Sequence, residues 1–206
     1  MSFLTALLYD RMMSSVEKGC LREWRSELVE QVGGRVLEIG AGTGANLAFY
    51  PETVDTLVMV EPDPAMRNQL QKVRHISRLK NIEIAAGTAE NLPVADGSFD
   101  FVVTSLVCCS FRDLESGLLE IYRILKPGGK LVFLEHVAAD EGCHKRAWQE
   151  FFNPLWRRVM GNCNLNRDIE SAIVSTGFRI AQIKRESMCT SVTIVQPTIR
   201  GIAEKL

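Results

Sequence analysis

A strand running straight into three closely spaced glycines limits this chain more than any other feature: Val36-Leu37-Glu38-Ile39 leads into Gly40-Ala41-Gly42-Thr43-Gly44. The apolar residues read as a buried strand over 35–39, and the glycines let the backbone turn sharply and approach a bound molecule closely. Such a turn belongs where a strand hands over to a helix, whose N-terminus adds partial positive charge. Glu61 closes a second apolar run over 56–60, about twenty residues on, where a carboxylate can accept hydrogen bonds from ribose hydroxyls. Strand, turn and acid together imply a nucleoside-containing cofactor held in a doubly wound α/β fold.

The rest of the chain keeps the same rhythm. Further strands are expected over 82–85, 99–104 and 130–134, with helices over 64–79 and 113–125, the second stopped by Lys126-Pro127-Gly128-Gly129. The segment 143–160 carries Trp148, Phe151, Phe152, Leu155 and Trp156 at helical spacing, with an interruption expected at Pro154. A helix over 167–175, with Asn166 as its N-cap, precedes two strands over 179–185 and 191–202 that can pair as a hairpin. Residues 3–31 read as one or two helices. One domain over 1–206 is expected, with a helical cap over 1–33 and a core over 34–206.

Composition excludes several classes. Of 206 residues, 46% are apolar and 24% charged, a globular balance, and a net charge of −1 gives no attraction for nucleic acid. No run approaches the length of a membrane span. The apolar stretch near the N-terminus (Phe3, Leu4, Ala6, Leu7, Leu8) makes a poor signal peptide, so at most weak peripheral membrane contact through an N-terminal helix is expected. The six cysteines show no C-x-x-C pair and no histidine at metal-ligand spacing, which points to reduced thiols in a cytoplasm and to no metal.

The glycine turn does not choose its cofactor, because Gly40-x-Gly42-x-x-Ala45 fits a dinucleotide fingerprint as well as an S-adenosylmethionine loop. Downstream motifs do choose. Gly87-Thr88-Ala89-Glu90-Asn91-Leu92-Pro93, then Asp96-Gly97-Ser98-Phe99-Asp100, then Arg123-Ile124-Leu125-Lys126-Pro127-Gly128-Gly129 resemble class I S-adenosylmethionine-dependent methyltransferases of the quinone-methylating type. Flanking segments, Glu135-His136-Val137-Ala138-Ala139, Trp148-Gln149 and Gly161-Asn162-Cys163-Asn164-Leu165-Asn166-Arg167, resemble the alkyl-thiol methyltransferases of animals.

That resemblance implies a seven-stranded, mostly parallel Rossmann-like sheet with N-terminal cap helices, and S-adenosylmethionine as cofactor with S-adenosylhomocysteine as product. It places Glu38, Gly40 and Gly42 at the methionine end and Glu61 on the ribose, with Ala41, Gly44 and Asn46 also in the cofactor-binding set. It sets Thr88 and Ala89 beside the adenine, packed by Pro62 and Leu92, Ser105 and Leu106 at the methyl donor, and Glu90 elsewhere in the cofactor-binding set. The family often carries Asp where this chain has Thr88, so a hydroxyl would meet the adenine's amine. The acceptor is expected to be a small apolar molecule, a thiol before a quinone carbon or another atom. A cofactor-binding sensor without turnover is the alternative from another class, and an NAD oxidoreductase comes last.

His136, just past the fifth strand, is the candidate general base, since its near-neutral pKa suits proton acceptance; it can equally anchor the strand end by hydrogen bonds. Trp148, Phe152 and Trp156 either line an acceptor pocket or belong to the core, and Cys163 and Arg167 are candidates to face the same pocket.

Overall fold

A computed structural model describes residues 13–206, so residues 1–12 of the expected N-terminal helix lie outside the described residues. A π-helical turn, Glu17–Leu21, runs into α1, Arg22–Val29. The strands are β1 Gly34–Ile39, β2 Val54–Val60, β3 Ile82–Ala85, β4 Phe99–Ser105, β5 Leu125–His136, β6 Phe178–Ser187 and β7 Pro197–Lys205. Between them lie α2 Pro64–Val73, α3 Leu114–Ile124, α4 His144–Val159 and α5 Ile169–Ser175.

The seven strands form one sheet in the order β3-β2-β1-β4-β5-β7-β6. Pairings among β1 to β5 are parallel, and β7 runs antiparallel to both β5 and β6. Because side chains alternate across a strand, each central strand feeds two cores. Val36, Val103 and Leu134 join Leu21, Trp24 and Leu28 of the N-terminal helix on one face. Leu37, Val102 and Phe133 join Leu118 and Ile121 of α3 and Ile169 of α5 on the other. Glu38, between Leu37 and Ile39, therefore points to the same face as Val36, toward the N-terminal helix.

Several local expectations are corrected. No helix follows the glycine turn: residues 42–49 make tight turns, with Leu47 N donating to Gly44 O and Phe49 N to Asn46 O. Gly40, Gly42 and Gly44 all hold positive φ (66°, 57° and 95°), and Pro51 bars helix just beyond. The helix expected over 64–79 ends at Val73, followed by a 3-10 turn, Arg74–Ile76. Pro154 does not interrupt α4, because it sits on the exposed face, where water can take the carbonyl freed on the preceding turn. The cap of α5 is Asp168, not Asn166, with its carboxylate accepting from Ser171 N at 3.0 Å.

β5 pairs before the expected start: Leu125 opposes Phe99, Lys126–Gly129 loop out, and pairing resumes at Lys130. The last strand begins at Pro197, because Thr193–Val195 form a 3-10 turn in which Ile194 O accepts from Gln149 Nε2 and is withdrawn from any ladder. No helix of the described residues is long and apolar enough to cross a membrane.

Gly201 of β7 faces a bulge in β6, and a Cβ there would stand 2.0 Å from Gln182 O. That contact is backbone and cannot rotate away. Gly201→Ala should therefore destabilise the fold by about 2–3 kcal/mol, read as a lowered urea midpoint; an unchanged midpoint would mean that the bulge relaxes freely.

Candidate active site

A cavity of about 500 Å³ opens at the carboxyl ends of β1, β2 and β4, where ligands of doubly wound sheets bind. Its wall contains Gly40, Gly42, Glu61, Pro62, Thr88, Ala89, Glu90, Ser105 and Leu106 of the expected cofactor set, with Val107, Ser110, Phe111, Met160 and Gly161. Gly40 N and Ala41 N donate to Val60 O, fixing the turn against β2. A Cβ on Gly40 would lie 2.2 Å from Val107 Cγ2, so only glycine lets the loop after β4 close on the turn. Above Gly42 a Cβ would meet nothing nearer than Gly40 O at 4.0 Å, which leaves room beside its backbone.

Glu61 is buried in this wall. Its Oε2 accepts from Gly42 N at 2.9 Å and its Oε1 from Asp63 N at 2.8 Å. A carboxylate offers about four lone-pair positions, so roughly two remain for other donors. Burial raises the Glu61 pKa, while the two amides work the other way. Asp63 caps α2, accepting from Ala65 N and Met66 N, and so fixes the backbone beside Glu61. On the opposite side, Thr88 bridges Asn91, and Glu90 Oε1 accepts from Arg112 N at 2.7 Å.

The remaining wall is the loop after β4. Leu106 holds φ 56°, a conformation that costs a residue with a Cβ about 1–3 kcal/mol. It is held there because Leu106 N donates to Leu134 O, while Glu135 Oε2 accepts from Val107 N and Cys108 N. Glu135 is fully buried, and that burial raises its pKa. From the far side Arg167 donates to Cys108 O and Phe111 O, and Asn162 Nδ2 donates to Ser110 O and Phe111 O. Arg167, expected at the acceptor, is thus engaged in clamping this loop.

Glu38, Ala41, Gly44 and Asn46 stand behind the cavity rather than in its wall. Glu38 accepts from Asn46 Nδ2 at 2.9 Å and from Tyr50 Oη at 2.7 Å. Burial pushes its carboxyl up to about 7, against those two hydrogen bonds and the charge of Arg25. Sequence reasoning missed Arg25: its guanidinium donates to Asn46 Oδ1 at 2.9 Å and to Ser105 Oγ at 2.6 Å, and pairs with Glu17. The available signal was a cation at position 25, on the apolar stripe of Leu21, Trp24 and Leu28.

The expected acceptor residues separate into two groups. Trp148 and Phe152 stack at 5.5 Å on the outer face of α4, 52% and 37% exposed, and are not core. They precede Met160 by twelve and eight residues, about 18 and 12 Å along a helix, and do not line the cavity. Trp156, Cys163 and His136 do come together: Cys163 Sγ lies 3.1 Å from His136 Nε2 and accepts from Trp156 Nε1 at 3.3 Å. His136 Nδ1 is buried without a hydrogen-bond partner among the described residues. Cys109 joins them, its sulfur within 4.8 Å of the other two ligand atoms. Its hydrogen bond, and then burial, raise the Cys163 thiol pKa.

A larger cavity, about 740 Å³, lies beyond β5 and β7. Its wall mixes charges of both signs, and neither the glycine turn nor Glu61 contributes to it.

Residues 37–133 match the methyltransferase domain family. A human thiol S-methyltransferase is 36% identical over 97% of this chain and 82% of its own length. A demethylmenaquinone methyltransferase of Lactiplantibacillus plantarum is 31% identical over 75% of this chain and 70% of its own. Among solved structures, a putative methyltransferase of Bacillus halodurans superposes with a TM-score of 0.73 at 15% identity, covering 91% of this chain and 99% of that one, a likeness of fold.

The raised Glu38 pKa has a stability consequence. Its contribution is fully present below the unfolded value near 4.5 and is lost as pH rises through about 7. Glu38→Gln, which keeps the neutral shape, should therefore gain on the wild type by up to about 3 kcal/mol between pH 5 and pH 8. Urea unfolding at both pH values measures this; a constant difference would show that Glu38 is charged throughout.

Proposed function

Because the chain belongs to the class I S-adenosylmethionine-dependent methyltransferases, we propose that it transfers the methyl group to the sulfur of a small apolar thiol. When bound, S-adenosylmethionine supplies a methyl group already activated by its sulfonium. The cavity residues fit that cofactor. Glu61 keeps lone pairs for the ribose hydroxyls, and the open space beside Gly42 admits the close approach of a ligand. Thr88, Ala89 and Glu90, with Pro62, are assigned to the adenine, and Ser105 and Leu106 to the methyl donor. Glu38 and Asn46 act from behind, holding the turn rather than touching the cofactor.

The observation that carries the thiol reading is the extent of the likeness. It runs over 97% of the chain at 36% identity for the thiol S-methyltransferase, against 75% at 31% for the quinone enzyme. Thiolate is also strongly nucleophilic, so the chain need only place it in line and exclude water. Leu106, Ser110 and Met160, on the cavity wall, are assigned to positioning the acceptor. A base acting from His136 Nε2 would first have to leave Cys163.

With labelled S-adenosylmethionine and a panel of aliphatic thiols, phenols, quinones and amines, label is expected in thioethers. Label only in a carbon-methylated quinone would overturn the thiol reading. Glu61→Ala should weaken cofactor binding by about 10- to 100-fold, the worth of hydrogen bonds to a charged group; unchanged affinity by calorimetry would remove Glu61 from the ribose.

A further inference from the structure

We propose that Cys109, His136 and Cys163 form a site for one soft divalent metal ion, zinc first, whose remaining coordination position receives the acceptor thiol. The three ligand atoms lie within 4.8 Å of one another, with Nε2 and the Cys163 sulfur at 3.1 Å. Ligands around tetrahedral zinc stand about 3.5–3.8 Å apart, given Zn–S near 2.3 Å and Zn–N near 2.0 Å. The cluster therefore needs only small side-chain shifts to close on an ion. Two thiolates and an imidazole select zinc over hard cations such as magnesium or calcium. Three protein ligands with an open fourth position are the pattern of catalytic rather than structural zinc.

The surroundings supply an outer partner to one of the three ligands. Trp156 Nε1 can only donate, and it donates to the Cys163 sulfur, as an outer partner of a thiolate ligand should. Cys109 O accepts from both Asn164 N and Asn164 Nδ2 at 2.9 Å, tying the two cysteine segments together. Ala138 N donates to Arg167 O, tying the end of β5 to the same segment. Ser110 and Gly161, close in sequence to the two cysteines, line the cofactor cavity, which brings its wall next to the cluster.

The role in transfer rests on the thiol reading above; the metal site itself does not. The thiol releases its proton to water on binding the ion. Its sulfur pair then forms the bond to the methyl carbon as the sulfonium carbon–sulfur bond breaks, that pair returning to the S-adenosylhomocysteine sulfur. The thioether formed is neutral, a poorer ligand, and leaves.

The test loads the full chain with zinc chloride, dialyses it against a weak chelator and measures the retained metal. About one zinc per chain is expected in the wild type. Cys163→Ser and His136→Ala should bind at least ~100-fold more weakly, and Trp156→Phe about tenfold. Retained S-adenosylmethionine affinity shows that the variants fold. Substituted Co²⁺ should give sulfur-to-cobalt charge-transfer bands that shift on adding an aliphatic thiol. Zinc held no more tightly than by a Cys109→Ala/Cys163→Ala double variant overturns the site. Zinc held without a cobalt shift overturns the acceptor role. A cobalt shift with label passing only to a carbon acceptor sustains the site and overturns the thiol function.

Discussion

A buried guanidinium holds the working end of this molecule together. Arg25 comes from the N-terminal helix, is 6% exposed, and reaches Asn46 after β1 and Ser105 at the end of β4. A buried charge is tolerated only when it is paired and hydrogen-bonded, and Glu17 supplies the counter-charge. Asn46 in turn donates to Glu38, and Glu38 accepts from Tyr50. One polar chain thus runs from the cap helix, under the glycine turn, to Ser105 on the cavity wall. The N-terminal helix positions that serine as well as shielding the sheet.

The loop after β4 depends on a second polar framework. Its amides are taken by Glu135 and its carbonyls by Arg167, Asn162 and Asn164. Such over-determination is what a left-handed leucine requires, since Leu106 would relax if its neighbours allowed it. The strain is local, and the segments that hold it in place come from far along the chain. Preorganisation of this kind suits transfer that depends on alignment.

The strands were legible because continuous apolar runs mark strands buried on both faces, and β1, β2, β3 and β4 fall within two residues of their expected starts. Glu61 was legible because its place after β2 follows from the fold. The cysteine and histidine cluster was not: Cys109, His136 and Cys163 come from three segments, and local spacing rules see only ligands that are neighbours in sequence. Arg25 was hidden because a cation on an apolar helix stripe has no pattern that names its partner. Helical spacing showed that Trp148, Phe152 and Trp156 share one helix, but not how each faces the sheet. Only Trp156 turns toward the cluster. Thr193-Ile194-Val195 read as strand by residue type, and a hydrogen bond from α4 overrode that preference.

The strand order carries a consequence for how the sheet is completed. β7 follows β6 in the chain but lies between β5 and β6, antiparallel to both. During synthesis β6 therefore leaves the ribosome with no neighbour to pair with, and β5 waits with a bare edge. An unpaired apolar edge is a template for association with other chains. Burying it depends on the arrival of a nine-residue strand whose central glycine admits the crowded backbone of its neighbour. The nascent protein is thus most exposed to misassembly in the interval between the emergence of β6 and that of β7.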